Sequence, residues 1–157
     1  MSTYALSLIS IIRLLILKRN QFKIIDRIKG LDCNLILEPG RSLVGNSGYL
    51  LTSVLYEKQN YKKDFLIVDA GMNDLLRPSL YDAFHKIEEV NKNNGPRKKY
   101  NVVGPICETG DVLGKDVELP PLVKNDLLII HSVGAYGYVM SSNYNTRPKA
   151  PEVLIED

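Results

Sequence analysis

Cysteine and histidine are scarce in this sequence, which contains two of each among its 157 residues. Cys33 and Cys107 lie far apart, and the two histidines, His85 and His131, form no cluster with metal-ligand spacing. The sequence therefore predicts no metal site. It also gives no sign of a disulfide framework, so a reducing cytoplasm is the expected compartment.

An excess of charge of either sign is also missing. The 20 basic and 18 acidic residues leave a formal net charge of +2, which predicts no long-range attraction to nucleic acid or to a membrane surface. The basic cluster Arg97-Lys98-Lys99 is accordingly expected to lie in a solvated loop. Hydrophobic residues make up 45% of the chain, which is enough for one folded domain or for part of a larger protein.

The most apolar run of the sequence, Leu6 to Leu17, is too short for a membrane span, which needs about 20 residues. It also contains Arg13, which is costly in a membrane. A signal peptide would carry basic residues before the run, whereas Lys18-Arg19 follow it. The run predicts a helix buried between other elements. Either its packing partners are missing from the chain, or the segment aggregates.

The order of the predicted elements divides the chain after residue 41. Apolar residues at helical spacing in 22–28 predict a helix that ends at Gly30, and Leu35–Leu37 predicts a short buried strand. Residues 1–41 therefore read as the last helices and strand of a truncated α/β barrel. Residues 42–157 contain β-rich runs separated by turn signals, which predicts a β-sandwich or β-barrel domain and a mostly β, α+β fold class. Strands are expected at Tyr49–Tyr56, Phe65–Val68, Tyr100–Val103 and Leu127–Ser132.

The loop Glu38-Pro39-Gly40-Arg41 directly follows the strand predicted for the barrel-like segment. Glycine lets the backbone approach a ligand closely, and arginine presents a planar fork of donors to a carboxylate or a phosphate. Loops after the late strands of an α/β barrel often bind phosphate. The alternative is a surface turn with a solvated Glu–Arg pair, because so short a motif is weak evidence by itself.

Two later blocks carry residues suited to binding and proton transfer. If Pro78 begins a helical turn, Arg77 and Tyr81 fall on one face, where they either grip a carboxylate or only stack on each other. Cys107 lies between Gly-Pro and Gly-Asp turns, which predicts an exposed loop, although a lone cysteine is more often a buried hydrophobe. A thiol beside Glu108 suits a proton donor better than a nucleophile.

Glycines flank Tyr136 at the end of the last predicted strand. Gly134 and Gly137 are expected to give the tyrosine room against a flat or anionic ligand. The backbone N–H groups of a helix beginning there would suit an anion. The alternative is a glycine-rich turn from strand to helix with a packed tyrosine.

Four blocks, in this order and spacing, resemble the diaminopimelate decarboxylase family, whose members use pyridoxal 5'-phosphate to make lysine. These blocks are Glu38–Arg41, Asp69–Tyr81, Val103–Asp111 and Gly134–Asn145. The resemblance covers the chain from Leu31 onward, with small departures at Gly45, Ser47 and Thr109. It implies an alanine-racemase-like barrel that holds the cofactor, a C-terminal β domain, and a homodimer with its active sites at the subunit interface.

The resemblance also assigns roles to individual residues in the decarboxylation of meso-2,6-diaminopimelate to L-lysine and carbon dioxide. The implied cofactor contacts are Glu38, Pro39, Gly40, Arg41 and Tyr136. The implied substrate contacts are Arg41, Arg77, Tyr81, Glu108 and Tyr136. The arginines and Tyr81 would hold the carboxylate of the unreacting end, and Glu108 would face the ammonium of that end. Cys107 would donate a proton to the carbon that loses carbon dioxide.

By the same resemblance, the Schiff-base lysine and the glycine-rich phosphate loop of the family precede the start of this chain, and the β domain is cut short at Asp157. The chain alone is therefore expected to be an inactive fragment on which borohydride traps no cofactor. The alternatives are a decarboxylase of ornithine, arginine or carboxynorspermidine, and a non-catalytic β domain from a decayed gene. Two arginines together with Glu108 favour a substrate whose far end is itself an amino acid.

Overall fold

A computed structural model of the protein describes residues 29–32, 36 and 38–155. The chain divides into two compact units, Met1–Leu43 and Val44–Asp157, and each is described by itself. The helices predicted at 6–17 and 22–28 lie outside the described residues, as does most of the predicted strand Leu35–Leu37. The assignment of residues 1–41 to the end of a barrel therefore stays a prediction.

Helices are few and short in the part of the chain that the structure describes. Two are α-helical: α1 (Arg41–Val44) and α2 (Arg77–Tyr81). Three are single 3₁₀ turns: Gly45–Ser47, Tyr138–Met140 and Tyr144–Thr146. Within these residues, no helix combines the length and the hydrophobicity that crossing a membrane requires.

A six-stranded sheet forms the body of the second unit. Its strands are β1 (Leu50–Gln59), β2 (Asp64–Val68), β3 (Ile87–Glu89), β4 (Lys98–Val103), β5 (Val112–Leu119) and β6 (Leu127–Ile130). Their order in the sheet is β3-β6-β1-β2-β4-β5. Neighbours are antiparallel except for β2 and β4, which run parallel. The four strands predicted from the sequence correspond to β1, β2, β4 and β6 and are confirmed.

The two edge strands, β3 and β5, come together, so the sheet is nearly closed like a barrel. A Cβ placed on Gly114 in β5 would lie 2.8 Å from Ile87 Cδ1 in β3, which means that Ile87 fills the space above this glycine. Arg97 reaches both edges: its Nη1 donates to the Glu118 carbonyl oxygen at 3.0 Å, and its Nη2 pairs with the buried carboxylate of Glu89. This arrangement confirms the predicted mostly β fold.

The core lies inside this curved sheet. In β1, Thr52 and Val54 are buried, whereas Leu51, on the other face, is exposed, as expected for a strand with one face on the core. The alternation ends at Tyr56, which is exposed and follows an irregularity in the pairing of β1 with β2. In β2, all of Leu66–Val68 is buried, and because successive side chains point to opposite faces, both faces of this strand are covered. The largest fully buried side chains are Tyr100, Leu66, Leu75, Leu113, Leu119, Leu128 and Ile130. Each such apolar side chain contributes about 1.5–3 kcal/mol, so the sheet is a firm base for its loops.

The basic cluster Arg97-Lys98-Lys99 does not lie in a solvated loop, so this prediction was wrong. Lys98 and Lys99 begin β4, and Lys98 Nζ pairs with Glu57 at 2.5 Å and with Asp64 at 3.2 Å. The hydrogen bond to Glu57 is the main reason why the pKa of Lys98 is held above its ordinary value. The acceptors come from β1 and β2, which are distant in sequence, and composition alone does not reveal them.

Candidate functional site

The turn after β2 is fixed by its own aspartates. Asp69 Oδ1 accepts hydrogen bonds from Thr52 Oγ1 at 2.6 Å and from the Ser53 N–H at 2.8 Å. Asp74 Oδ2 accepts from the Gly71 N–H at 2.9 Å. Helix α2 begins only a few residues beyond this turn, so its position depends on the turn's conformation.

The buried carboxylate of Asp111 joins this turn to the loop at 104–111. Its Oδ1 accepts from the Met72 N–H at 2.6 Å, and its Oδ2 accepts from the Ile106 N–H at 2.7 Å. Only 3% of Asp111 is exposed, and burial raises the pKa of its carboxyl. Ser79 Oγ adds a hydrogen bond from α2 to the Gly110 carbonyl oxygen at 2.5 Å. These bonds hold α2 and the loop that carries Cys107 against each other.

The segment 141–147 is fastened to the same turn. The Ser142 N–H donates to the Asn73 carbonyl oxygen at 2.9 Å. Arg147 Nε donates to Asn73 Oδ1 at 3.2 Å, and its Nη2 donates to the Asp69 carbonyl oxygen at 2.5 Å. Three blocks that are far apart in the sequence therefore meet at one turn of the sheet domain.

Arg77 lies between two tyrosine rings. Its Cζ is 5.6 Å from the centre of the Tyr81 ring and 5.6 Å from the centre of the Tyr136 ring. Pro78 stands at the start of α2, so the predicted arrangement of Arg77 and Tyr81 on one face is present. Both rings are about half exposed, which leaves a guanidinium held by cation–π contacts at the surface. Whether it grips a carboxylate or only stacks stays a prediction.

Cys107 is exposed, as the turns around it predicted. Beside it, Glu108 Oε1 accepts a hydrogen bond from Tyr144 Oη at 2.5 Å. This hydrogen bond raises the pKa of the Tyr144 phenol, because ionisation would place a second negative charge against the carboxylate. A thiol, a carboxylate and a phenol thus form one exposed group on the loop joined to α2.

The glycines around Tyr136 allow close backbone packing. A Cβ on Gly134 would overlap the Val44 carbonyl oxygen, and one on Gly137 would overlap the Val133 carbonyl oxygen. They are therefore needed for close backbone packing, and a role in giving Tyr136 room stays a prediction. The predicted helix start is a 3₁₀ turn of three residues, Tyr138–Met140, which is too short to act as an anion-binding helix terminus. Tyr136 itself takes a left-handed conformation, with φ of 65°.

The loop Glu38-Pro39-Gly40-Arg41 belongs to the first unit, which ends at Leu43 within α1. Gly40 donates its N–H to the Glu38 carbonyl oxygen at 3.0 Å and accepts from the Leu43 N–H at 3.0 Å. A Cβ on Gly40 would meet no described heavy atom within 4 Å, so its backbone is open to a ligand. The roles predicted for this loop stay predictions.

Three residues that organise the site had no predicted role: Asp111, Tyr144 and Arg147. All lie in or beside the sequence blocks that carried the resemblance, but each has a partner that is 36 or more positions away. Nothing in the local pattern indicates such partners. Among the described residues, no group of three or more His, Cys, Asp or Glu side chains could hold a metal ion.

Comparison with known proteins identifies the family to which the chain is related. A family model described as the pyridoxal-dependent decarboxylase C-terminal sheet domain matches residues 4–134. The chain belongs to this family. Diaminopimelate decarboxylase of Pseudomonas aeruginosa is 54% identical over 131 residues, which cover 83% of this chain and 31% of the relative. The enzyme of Neisseria meningitidis serogroup A is 58% identical over 122 residues, which cover 78% of this chain and 30% of the relative.

Solved structures of this decarboxylase family agree with the sheet domain. The crystal structure of diaminopimelate decarboxylase from Helicobacter pylori, complexed with L-lysine, matches with a TM-score of 0.73 and 52% identity. The match covers 80% of this chain and 31% of that one. The resemblance inferred from the four sequence blocks is therefore confirmed. The chain spans about a third of the length of the curated relatives it matches.

Proposed function

We propose that this chain supplies the C-terminal sheet domain of a pyridoxal 5'-phosphate-dependent enzyme that converts meso-2,6-diaminopimelate to L-lysine and carbon dioxide. The observation that carries the proposal is the joining of two loops through one buried residue, Asp111. One loop leads to Arg77, and the other carries Cys107 and Glu108. The two loops thereby form one fixed surface of the domain: Arg77 on it binds a carboxylate, and Cys107 and Glu108 on it are presented to the site of the partner subunit.

Charged groups of the sheet domain recognise the far end of the substrate, which is the end that does not react. Within the described residues of the second unit, no side-chain carboxylate forms an ion pair with Arg77. Its fork is therefore available for a carboxylate of the substrate, with Tyr81 beside it. For the first unit, taken by itself, Arg41 is proposed as a further contact to a carboxylate. Glu108 binds the ammonium of the same end. This pairing of opposite charges selects a substrate whose far end is an amino acid.

The residues present fit a flat anionic cofactor. In the second unit, the exposed ring of Tyr136 offers a surface for an aromatic ring. In the first unit, described by itself, the open backbone at Gly40 allows a phosphate to approach. Pyridoxal phosphate, when bound, supplies the electron sink for breaking the carbon–carbon bond. The Cys107 thiol then gives its proton to the carbon from which carbon dioxide leaves, and solvent returns a proton to the thiolate.

The assembly and compartment follow from the same proposal. The functional form is a homodimer in which the loop of Cys107 and Glu108 completes the site of the partner subunit, and the enzyme works in the cytoplasm. The exposed position of this loop and of Leu80 and Tyr81 in α2 supports such an arrangement, because an exposed patch that includes apolar side chains suits an interface.

Release of carbon dioxide from competing substrates tests the proposal. The purified protein that carries this chain is supplied with pyridoxal phosphate and then with diaminopimelate, ornithine, arginine or carboxynorspermidine. Diaminopimelate should be preferred in kcat/KM by about a hundred-fold or more, because a site built for two charged groups rejects substrates that leave them unpaired. No carbon dioxide from diaminopimelate, or a preference for one of the other three compounds, would overturn the proposal.

A further inference from the structure

Tyr144 contacts Glu108, the residue assigned above to the substrate's far ammonium. The Tyr144 hydroxyl donates to Glu108 Oε1 at 2.5 Å, and the hydrogen bond raises the pKa of the phenol. The phenol therefore remains a donor to the carboxylate throughout the neutral range. The bond is charge-assisted, and such bonds are roughly twice as strong as those between neutral groups.

The backbone on both sides of this contact is fixed. The Glu108 N–H donates to the Ile106 carbonyl oxygen at 2.8 Å, and the Glu108 carbonyl oxygen accepts from the Asp111 N–H at 3.1 Å. With its backbone groups engaged, Glu108 can vary only in its side chain, and Tyr144 holds one of the two carboxylate oxygens. The other oxygen is left to face a ligand.

Tyr144 lies in a segment whose position is fixed by hydrogen bonds. The Arg147 N–H donates to the Tyr144 carbonyl oxygen at 3.3 Å, and the Arg147 side chain is bonded to Asn73. Between them, Asn145 and Thr146 have φ of 56° and 57°. The left-handed conformation is unusual for a β-branched residue and costs about 1–2 kcal/mol, so it persists only where surrounding contacts enforce it.

We propose that Tyr144 is a positioning residue, which holds the Glu108 carboxylate in the orientation that binds the far ammonium of the substrate and so adds to specificity for diaminopimelate. The inference rests on the proposed function. It assigns Tyr144 no direct part in decarboxylation. Its removal should therefore weaken recognition of the ammonium and leave the chemical step nearly unchanged.

Titration of Tyr144 tests the contact without any activity. The full chain is labelled with ¹³C at tyrosine Cζ, and the Tyr144 signal is identified by its loss in Tyr144→Phe. Glu108→Gln should lower the pKa of Tyr144, whereas Asp116→Asn, which removes an exposed carboxylate elsewhere in the domain, should leave the pKa of Tyr144 unchanged. For the kinetics below, Tyr138 is the matched reference, because it is 46% exposed and Tyr144 is 45% exposed. A Tyr144 titration that is indifferent to Glu108→Gln would overturn the proposed contact.

Kinetics then test the role of the contact. Tyr144→Phe should raise KM for diaminopimelate about ten-fold, the effect of losing one charge-assisted hydrogen bond, with kcat within about two-fold of wild type. The inhibition constant of 2-aminopimelate, which lacks the far amino group, should not change. Tyr138→Phe should alter neither value. Equal weakening of both ligands, or behaviour like Tyr138→Phe, refutes the proposal for Tyr144. A wild-type protein that releases no carbon dioxide refutes the proposed function instead, and the titration still decides whether the contact exists.

Discussion

Replacing Asp111 with asparagine tests whether one buried carboxylate holds the two loops of the site together. Asparagine has a single side-chain oxygen, so it can accept from the Met72 N–H or from the Ile106 N–H but not from both. Leaving one buried N–H without an acceptor costs about 1–3 kcal/mol, and relief from burying a charge offsets part of it. We expect a net loss of about 1–2 kcal/mol at pH 7, or a Tm lower by about 2–8 °C.

The pH dependence of this loss has a definite sign. Burial raises the pKa of Asp111 above its ordinary value of 3.8, against the opposing effect of its two backbone hydrogen bonds. At pH values between 3.8 and the raised pKa of the native state, the native chain binds more protons than the unfolded chain. The contribution of Asp111 to the free energy of unfolding therefore grows as the pH falls through that interval. Asparagine does not titrate, so the stability advantage of wild type over Asp111→Asn should widen on acidification.

Urea unfolding followed by far-UV circular dichroism, repeated from pH 7 down to pH 4, measures both effects. Asp116→Asn is the matched control, because Asp116 is exposed and has φ of 51°, a conformation that asparagine tolerates. The control should stay within about 0.5 kcal/mol of wild type. The reasoning fails if Asp111→Asn is no less stable than Asp116→Asn, or if its disadvantage shrinks as the pH falls.

Three further substitutions address the loops and the chemistry. Arg77→Lys removes the planar fork and should raise KM for diaminopimelate about ten-fold or more at unchanged Tm, which steady-state kinetics and thermal unfolding check together; an unchanged KM would contradict it. Cys107→Ser should lower kcat about a hundred-fold with little change in KM, and a normal kcat would exclude the thiol as proton donor. Gly134→Ala forces a Cβ against the Val44 carbonyl oxygen and should cost about 1–3 kcal/mol in urea unfolding, whereas neutral behaviour would contradict the close packing.

The strands that the sequence predicted and the strands that it missed differ in how strongly their own residues favour extended structure. β1, β2, β4 and β6 contain runs of β-branched and aromatic residues, which favour extended structure by themselves. β3 has only three residues and exists through its pairing with β6. β5 carries Gly114-Lys115-Asp116 at its centre, a sequence typical of a turn, and Asp116 has a positive φ. Pairing with β4 overrides that local preference.

The contacts of the candidate site also differ in whether they join residues that are close in sequence or distant in sequence. Arg77 and Tyr81 are four positions apart, so helical spacing was enough to predict their shared face. Tyr136 joins them only because the fold returns the chain to α2. The bond between Tyr144 and Glu108 spans 36 positions, and the bond between Met72 and Asp111 spans 39. Such contacts are set by the order of strands in the sheet, which hydrophobic patterning does not specify.

Charged groups in the sheet domain serve two purposes, and the buried groups serve a different one from the groups near the surface. The carboxylates of Asp74 and Asp111 are nearly inaccessible and accept backbone N–H groups, so they fix loop conformation. Arg77 and Glu108 are held by aromatic side chains nearer the surface, where a ligand can reach them. Because the buried groups act through the backbone, changing one of them should move every functional group on its loop. Asp111→Asn should therefore lower stability and weaken substrate binding together, whereas Arg77→Lys should weaken binding alone.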